Sequence, residues 1–290
     1  VVRPRLSDAE VERRRQEILR HVIDAGEVRI GALGERFGVS LMTIHRDLDD
    51  LAARRLLRKL RGKVAAYPAL TLETATRFRE GLRRDCKRAL AAAAVAHVRE
   101  GQTLLLDDST TLFPLAAALT GFERLTVVTN SLRIARLLAE APGVGVRLLG
   151  GSYKGDFDSC FGPEVVSALA EVWADTAFVS ATAIAHGRMY HPVEQYAELK
   201  AALLCAAGRR IVLADHSKFG RTATYDHGGT ADVDLVVTDR AAPAAELAAI
   251  RRLGTGIEIV DGCAGTAVST VTGAPHAGAV SVVDESGSGA

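Results

Sequence analysis

The chain has 290 residues, long enough for two domains and a sizeable core, and its 48% hydrophobic and 24% charged residues exclude a disordered or fibrous protein. No apolar stretch approaches the roughly 20 residues that cross a bilayer, the charged start lacks the apolar core of a signal peptide, and Cys86, Cys160, Cys205 and Cys263 form no CxxC pair. The net charge of +1 hides a division, since residues 1–63 carry 15 basic and 10 acidic side chains and the rest carry 21 and 25. A basic head on a weakly acidic body suits a nucleic-acid contact confined to the head. Widely spaced cysteines predict neither a disulfide framework nor a zinc site, and place the protein in a reducing cytoplasm with no membrane partner.

In the head, Val11 to Ile23 sets Ile18, Leu19, Val22 and Ile23 on one helical stripe, and Asp24-Ala25-Gly26 stops it. Ile30, Ala32, Leu33 and Phe37 predict a second helix closed by Gly38. Ser40 is a natural N-cap for a third helix. There Leu41, Ile44, Leu48 and Leu51 form the buried face, and Met42, Thr43, His45, Arg46 and Asp49 face outward. Leu56 to Leu60, Arg61-Gly62-Lys63 and Val64 to Tyr67 predict a hairpin with a basic tip. The sum is a winged helix-turn-helix, although a plain three-helix bundle with solvated arginines fits the periodicity as well. On duplex DNA the third helix would enter the major groove, contacting it through Ser40, Met42, Thr43, His45 and Arg46. Arg61 and Lys63 would reach phosphates.

Residues 68–85 predict a linker with a short charged helix. Six Val/Ile/Leu-rich runs follow, each ending abruptly in polar residues: Leu104-Leu106, Leu125-Val128, Val146-Leu149, Ala177-Val179, Ile211-Ala214 and Leu235-Val237. Such runs suit strands buried on both faces of a parallel sheet, whose ligands bind at the carboxyl ends of the strands. That edge would collect Asp107, Ser109, Thr110, Thr111, Thr129, Asn130, Ser131, Gly150, Gly151, Asp215 and Lys218. Ser109 to Thr111 and Asn130-Ser131 open helices, where unsatisfied N–H groups attract phosphate. Each such turn alone serves equally as a helix cap. Asp107 suits sugar hydroxyls or a purely structural loop contact, and Gly150-Gly151 suits either close ligand approach or a tight turn. Glu198 and Lys200 lie two apart on a helix expected from Glu194 to Ala207, so they point different ways. Lys200 is the expected anion ligand of the two. Lys218 is the better anion ligand, and Asp215 the better hydroxyl acceptor, at a further strand end. Residues 263–290, rich in Gly, Ala, Ser, Thr and Val, predict a disordered tail.

The words Phe37-Gly38-Val39-Ser40-x-x-Thr43-Ile44-x-Arg46-Asp47-Leu48-x-x-Leu51 resemble the helix-turn-helix signature of the DeoR family of bacterial transcriptional regulators. The resemblance continues through Leu106-Asp107-x-Ser109-Thr110-Thr111, Val128-Thr129-Asn130-Ser131, Leu149-Gly150-Gly151, Glu198-x-Lys200 and Leu213-Ala214-Asp215-His216-Ser217-Lys218-Phe219-Gly220. His45 replaces the family's usual arginine, Gly62-Lys63 its Gly-Gly, Ser109 a glycine, and Ser180-Ala181-Thr182-Ala183 a glycine-containing segment.

The resemblance implies an α/β protein with a winged helix-turn-helix over 1–67 and a Rossmann-like effector domain over 86–262, related in fold to ribose-5-phosphate isomerase. It implies a repressor of carbohydrate metabolism, without cofactor or metal, whose affinity for a double-stranded DNA operator responds to a phosphorylated sugar or similar anion. Paired half-sites imply a homodimer or homotetramer. The alternatives are an isomerase-like enzyme, with Asp107, Asp108 or Glu198 as base, and a regulator whose body only oligomerises. Fold likeness does not carry activity.

Overall fold

A computed structural model describes residues 8–25, 27–53, 56–66 and 76–263. The expected tail therefore lies outside the described residues except for Cys263, as does the first part of the expected linker. The head comprises α1 (Asp8–Ala25), β1 (Glu27–Arg29), α2 (Ile30–Phe37), α3 (Leu41–Ala53), β2 (Leu57–Leu60) and β3 (Lys63–Ala66). The strands form an antiparallel sheet in the order β1-β3-β2, so the head is a winged helix-turn-helix and not a plain bundle. Gly38 closes α2 at φ 62°, a left-handed conformation that glycine adopts without steric cost. The Ser40 hydroxyl accepts from Thr43 N at 3.2 Å and starts α3.

Ile18, Leu19 and Val22 of α1 meet Leu33 of α2, Ile44, Leu48 and Leu51 of α3, and Val64 of the wing. Leu41, expected in this core, is 53% exposed. It is the first residue of α3, and a helical side chain leans over the turn before its own Cα; here it rests beside Gly34. Asp47 is buried in this core, held by Arg14 at 2.7 Å and Arg15 at 3.1 Å.

The body begins with α4 (Thr76–Gly81), α5 (Arg84–Val95), β4 (Thr103–Leu106), α6 (Phe113–Leu119), β5 (Leu125–Thr129), α7 (Leu132–Ala139) and β6 (Val144–Leu148). After β7 (Ser152–Lys154) and β8 (Ser159–Phe161) come α8 (Pro163–Ala170), β9 (Ala174–Val179), β10 (Ala183–Ala185), β11 (Arg188–His191) and α9 (Glu194–Cys205). The last elements are β12 (Ala207–Leu213), β13 (Tyr225–Gly229), β14 (Leu235–Asp239), α10 (Ala244–Arg252) and β15 (Gly256–Val260).

Seven strands make one parallel sheet, ordered β15-β14-β12-β9-β4-β5-β6. Successive residues face opposite sides. Leu104, Leu106, Phe178, Ile211 and Leu213 pack on Leu90, Leu115 and Ile134 of α5, α6 and α7. Leu105, Ala177, Val179, Val212 and Val236 pack on Val165, Leu203 and Ile250 of α8, α9 and α10. The strand order runs outward in one direction from β4 and in the other from β9. The switch point therefore lies between these two central strands, where ligands of such sheets bind. No described helix is long and apolar enough to cross a membrane.

The cysteines depart from expectation. Cys86 in the first turn of α5 and Cys263 after β15 form a disulfide with Cα atoms 4.5 Å apart. They are 177 residues apart in sequence, so only the return of the chain past β15 reveals the pair. Asp239 lies beside them.

Candidate functional site

On the head, Met42 is 69% exposed, and His45 and Arg46 are exposed beside it, while Thr43 is half-buried by its bond to Ser40. One face of α3 thus carries a thioether, a hydroxyl, an imidazole and a guanidinium. Lys59 of the wing reaches this face, 2.6 Å from Asp49 and 3.5 Å from His45 Nδ1. Sequence reasoning missed that contact, which forms across the connection from α3 into β2. Arg61 is exposed at the turn between β2 and β3. Lys63 opens β3 and pairs with Glu27 at 2.6 Å, so its charge is already shared.

In the body, the loops after β4, β9 and β12 converge. They form a cleft of about 40 Å³ with Ser109, Thr110, Thr111, Ser180, Ala181 and Thr182 on one side and Asp215, Ser217 and Lys218 on another. The third side is α4 and the start of α5, through Arg79, Leu82, Arg83 and Lys87. Lys87 donates to Thr110 Oγ1 at 2.9 Å and to the carbonyl of Arg79. The Arg83 guanidinium lies 3.7 Å from Asp215. Burial alone would raise the Asp215 carboxyl, but Lys218, Arg83 and the bonds from Ser217 outweigh it and hold the group below its usual range. A larger groove of about 580 Å³ shares Lys87 and Thr110 with the cleft and carries Arg84, Arg88, Arg133 and Arg136.

Ser109, Thr110, Thr111, Asp215 and Lys218 of the expected set therefore meet in one cleft. Helix α6 starts only at Phe113 with Pro114 in its first turn, so the hydroxyls lie in the preceding turn and not on the helix. Ser109 takes no left-handed angle, so the residue replacing glycine fits this turn without strain.

The other expected residues stand elsewhere. Lys200 is 4% exposed, and its ammonium spends all three donors on Asp107, Ser109 Oγ (3.2 Å) and the Ser180 carbonyl (2.7 Å). Asp107, fully buried, also accepts from Ser109 N at 2.9 Å and Ser180 N at 3.0 Å. Together they tie the β4 loop to the β9 loop and form the floor under the cleft. Asp108 is buried beside them; burial pushes its carboxyl up to about 6 against the opposing pull of Lys200. Burial and Lys200 also drive the His227 imidazole down to about 3.

Thr129, Asn130 and Ser131 are fully buried outside the cleft. Thr129 Oγ1 accepts from Ser131 N, Asn130 Nδ2 donates to the Cys160 carbonyl, and Ser131 Oγ caps α7 at Ile134 N. Gly150 and Gly151 make the turn into β7, also away from the cleft. A Cβ on Gly151 would sit 2.7 Å from the Phe161 carbonyl, so close packing requires this glycine.

A model of the DeoR-like helix-turn-helix domain matches residues 14–67, and one of the DeoR C-terminal sensor domain matches 83–240. The chain is 31% identical over 230 residues to the uncharacterized HTH-type transcriptional regulator YgbI of Escherichia coli, covering 79% of this chain and 90% of that one. It is 30% identical to the transcriptional repressor AccR of Agrobacterium fabrum, covering 78% and 88%. It is 29% identical to the glycerol-3-phosphate regulon repressor of Escherichia coli, covering 79% and 91%. Among solved structures, ribose 5 phosphate isomerase A of Neisseria gonorrhoeae gives a TM-score of 0.34 at 21% identity, over 46% of this chain and 52% of that one. The matched domains and relatives regulate transcription and are not enzymes, which removes the isomerase alternative. The winged helix-turn-helix, the sensor domain and these relatives together show that the chain belongs to the DeoR family of DNA-binding transcriptional regulators.

Proposed function

We propose that this protein represses genes of carbohydrate metabolism and that a phosphorylated sugar or similar small anion, bound in the cleft at the ends of β4, β9 and β12, changes its affinity for DNA. The observation that carries the reading is the gathering of hydroxyls and cations at the switch point: Ser109, Thr110 and Thr111 face Lys218, Arg83 and Lys87 across one cleft. Hydroxyl donors and fixed cations are what a phosphate ester accepts hydrogen bonds from, and Asp215 offers an acceptor to a sugar hydroxyl. The relative named for the glycerol-3-phosphate regulon is in keeping with that chemistry. On DNA, α3 lies in the major groove with Met42, Thr43, His45 and Arg46 toward base edges, Ser40 at its start, and Arg61 beside the backbone. Two heads on paired half-sites call for a homodimer or homotetramer.

The test is a thermal-shift panel on the full chain with sugar phosphates, glycerol 3-phosphate, inorganic phosphate and the unphosphorylated sugars. A ligand at a hundredfold excess over its Kd stabilises by about 2.7 kcal/mol, on the order of 5–10 °C for a domain of this size. One phosphate ester should give that shift and its parent sugar should not, and Lys218→Ala or Thr110→Val should abolish it. A flat response across the whole panel would leave the body as an oligomerisation domain only.

A further inference from the structure

The wall that closes the cleft belongs to the segment leading into the body from the DNA-binding head. Arg79, Arg83 and Lys87 recur every four residues and line the cleft together, although a break between α4 and α5 interrupts the helix. At that break Arg83 takes φ 48°, a left-handed conformation that side-chain-bearing residues seldom adopt. Such an outlier points toward function when its side chain is engaged. Here the guanidinium is turned onto Asp215, at the sheet edge.

Size adds a second argument. A water needs about 10–15 Å³ of such space, so the 40 Å³ cleft has room for roughly three waters. A sugar phosphate is larger than that, and seating one displaces the wall or opens the cleft toward the adjoining groove at Lys87 and Thr110. Leu82 makes that movement consequential, because it lines the cleft and also packs against the core of the winged helix-turn-helix.

We propose that Arg79, Arg83 and Lys87 clamp the anionic group of the effector and that Leu82 carries the resulting movement into the DNA-binding head. This rests on the sensor reading above and names its regulation. An entering phosphate repels Asp215 and competes with it for Arg83. The wall shifts to admit the rest of the ligand, and Leu82 loses its seat against the head. Site occupancy and head position are then two readings of one displacement, and the coupling is reciprocal by linkage.

The experiment uses the full chain, the phosphate-ester panel above, and a duplex that the protein selects from a random library. Probe affinity is measured by calorimetry, and DNA affinity by fluorescence anisotropy with and without probe. The ester that stabilises the parent protein should bind the Arg79→Ala/Arg83→Ala double variant at least tenfold more weakly, with Arg83→Lys recovering part of the loss. Leu82→Ala should keep a probe-induced melting shift yet reduce the probe's effect on DNA affinity to less than twofold. Undiminished probe affinity in the double variant, or undiminished coupling in Leu82→Ala, overturns the clamp and leaves the sensor reading intact. No melting shift from any ester in the parent protein removes the sensor reading and the clamp with it.

Discussion

Lys200→Met separates a structural floor from a ligand contact. In the native protein Lys200 is 4% exposed and its ammonium neutralises Asp107, which has no exposure of its own. Methionine fills similar volume but leaves that carboxylate buried without its counter-charge. Removing one partner of a buried pair costs about 3–5 kcal/mol. Asp107 keeps its bonds from Ser109 N and Ser180 N, which favours the lower end of that range. With about 2–4 °C lost per kcal/mol for a domain of 150–250 residues, the body should melt about 6–12 °C lower without any ligand present. Differential scanning calorimetry of the ligand-free variant reads this directly. A variant that melts within about 2 °C of the parent, yet no longer responds to a phosphate ester, would show that Lys200 meets the ligand and that the floor assignment is mistaken.

Asp108 should leave a pH signature. Its folded carboxyl, near 6, lies above the unfolded value of 3.8, so the folded state binds more protons between the two and stability rises as pH falls through that window. The full effect is about 3 kcal/mol, and Asp108→Asn should remove that slope in urea melts from pH 7 to pH 4; parallel profiles for the two proteins would refute it. Arg46→Ala should weaken binding to the selected duplex by about 1–3 kcal/mol if the guanidinium pairs with a guanine edge, and should relax base preference at one position. Arg61→Ala should instead flatten the salt dependence without changing preference, and more than Lys63→Ala does, because Lys63 is already paired with Glu27.

The central strands were legible because burial on both faces gives unbroken runs such as Leu104-Leu106 and Ile211-Ala214. The edge strand β15 escaped notice, since Gly256-Ile257-Glu258-Ile259-Val260 is half-exposed and mixes charge with apolar residues. The strands β10, β11 and β13 are short, and β13 joins the β10-β11 hairpin from a distant part of the chain, which no local pattern records. The turn words Ser109-Thr110-Thr111 and Asp215 to Lys218 stand at the cleft while Thr129-Asn130-Ser131 and Gly150-Gly151 do not, because residue types at strand ends are local features but their convergence is not. What each side chain does there is not local. The sequence marks Lys200 as an anion ligand, but its donors are taken by atoms 20 and 93 residues away. The sequence also marks Asn130 and Ser131 as ligand contacts, but the Asn130 amide donates to the β8 strand and the Ser131 hydroxyl caps the first turn of α7. Arg79, Arg83 and Lys87 form a stripe at four-residue spacing, in and just beyond a segment that the sequence marks only as a linker with a short charged helix. Only the fold shows that the stripe closes the site.

The most direct test of the account is the affinity of the full chain for its selected duplex, measured by anisotropy at fixed salt across the phosphate panel. Regulatory coupling is typically about 1–3 kcal/mol, or roughly 5–150-fold. One phosphate ester should change the DNA Kd by at least about fivefold, and its unphosphorylated parent should not. Tight DNA binding that stays the same with every ester, at concentrations where none alters melting, would contradict it.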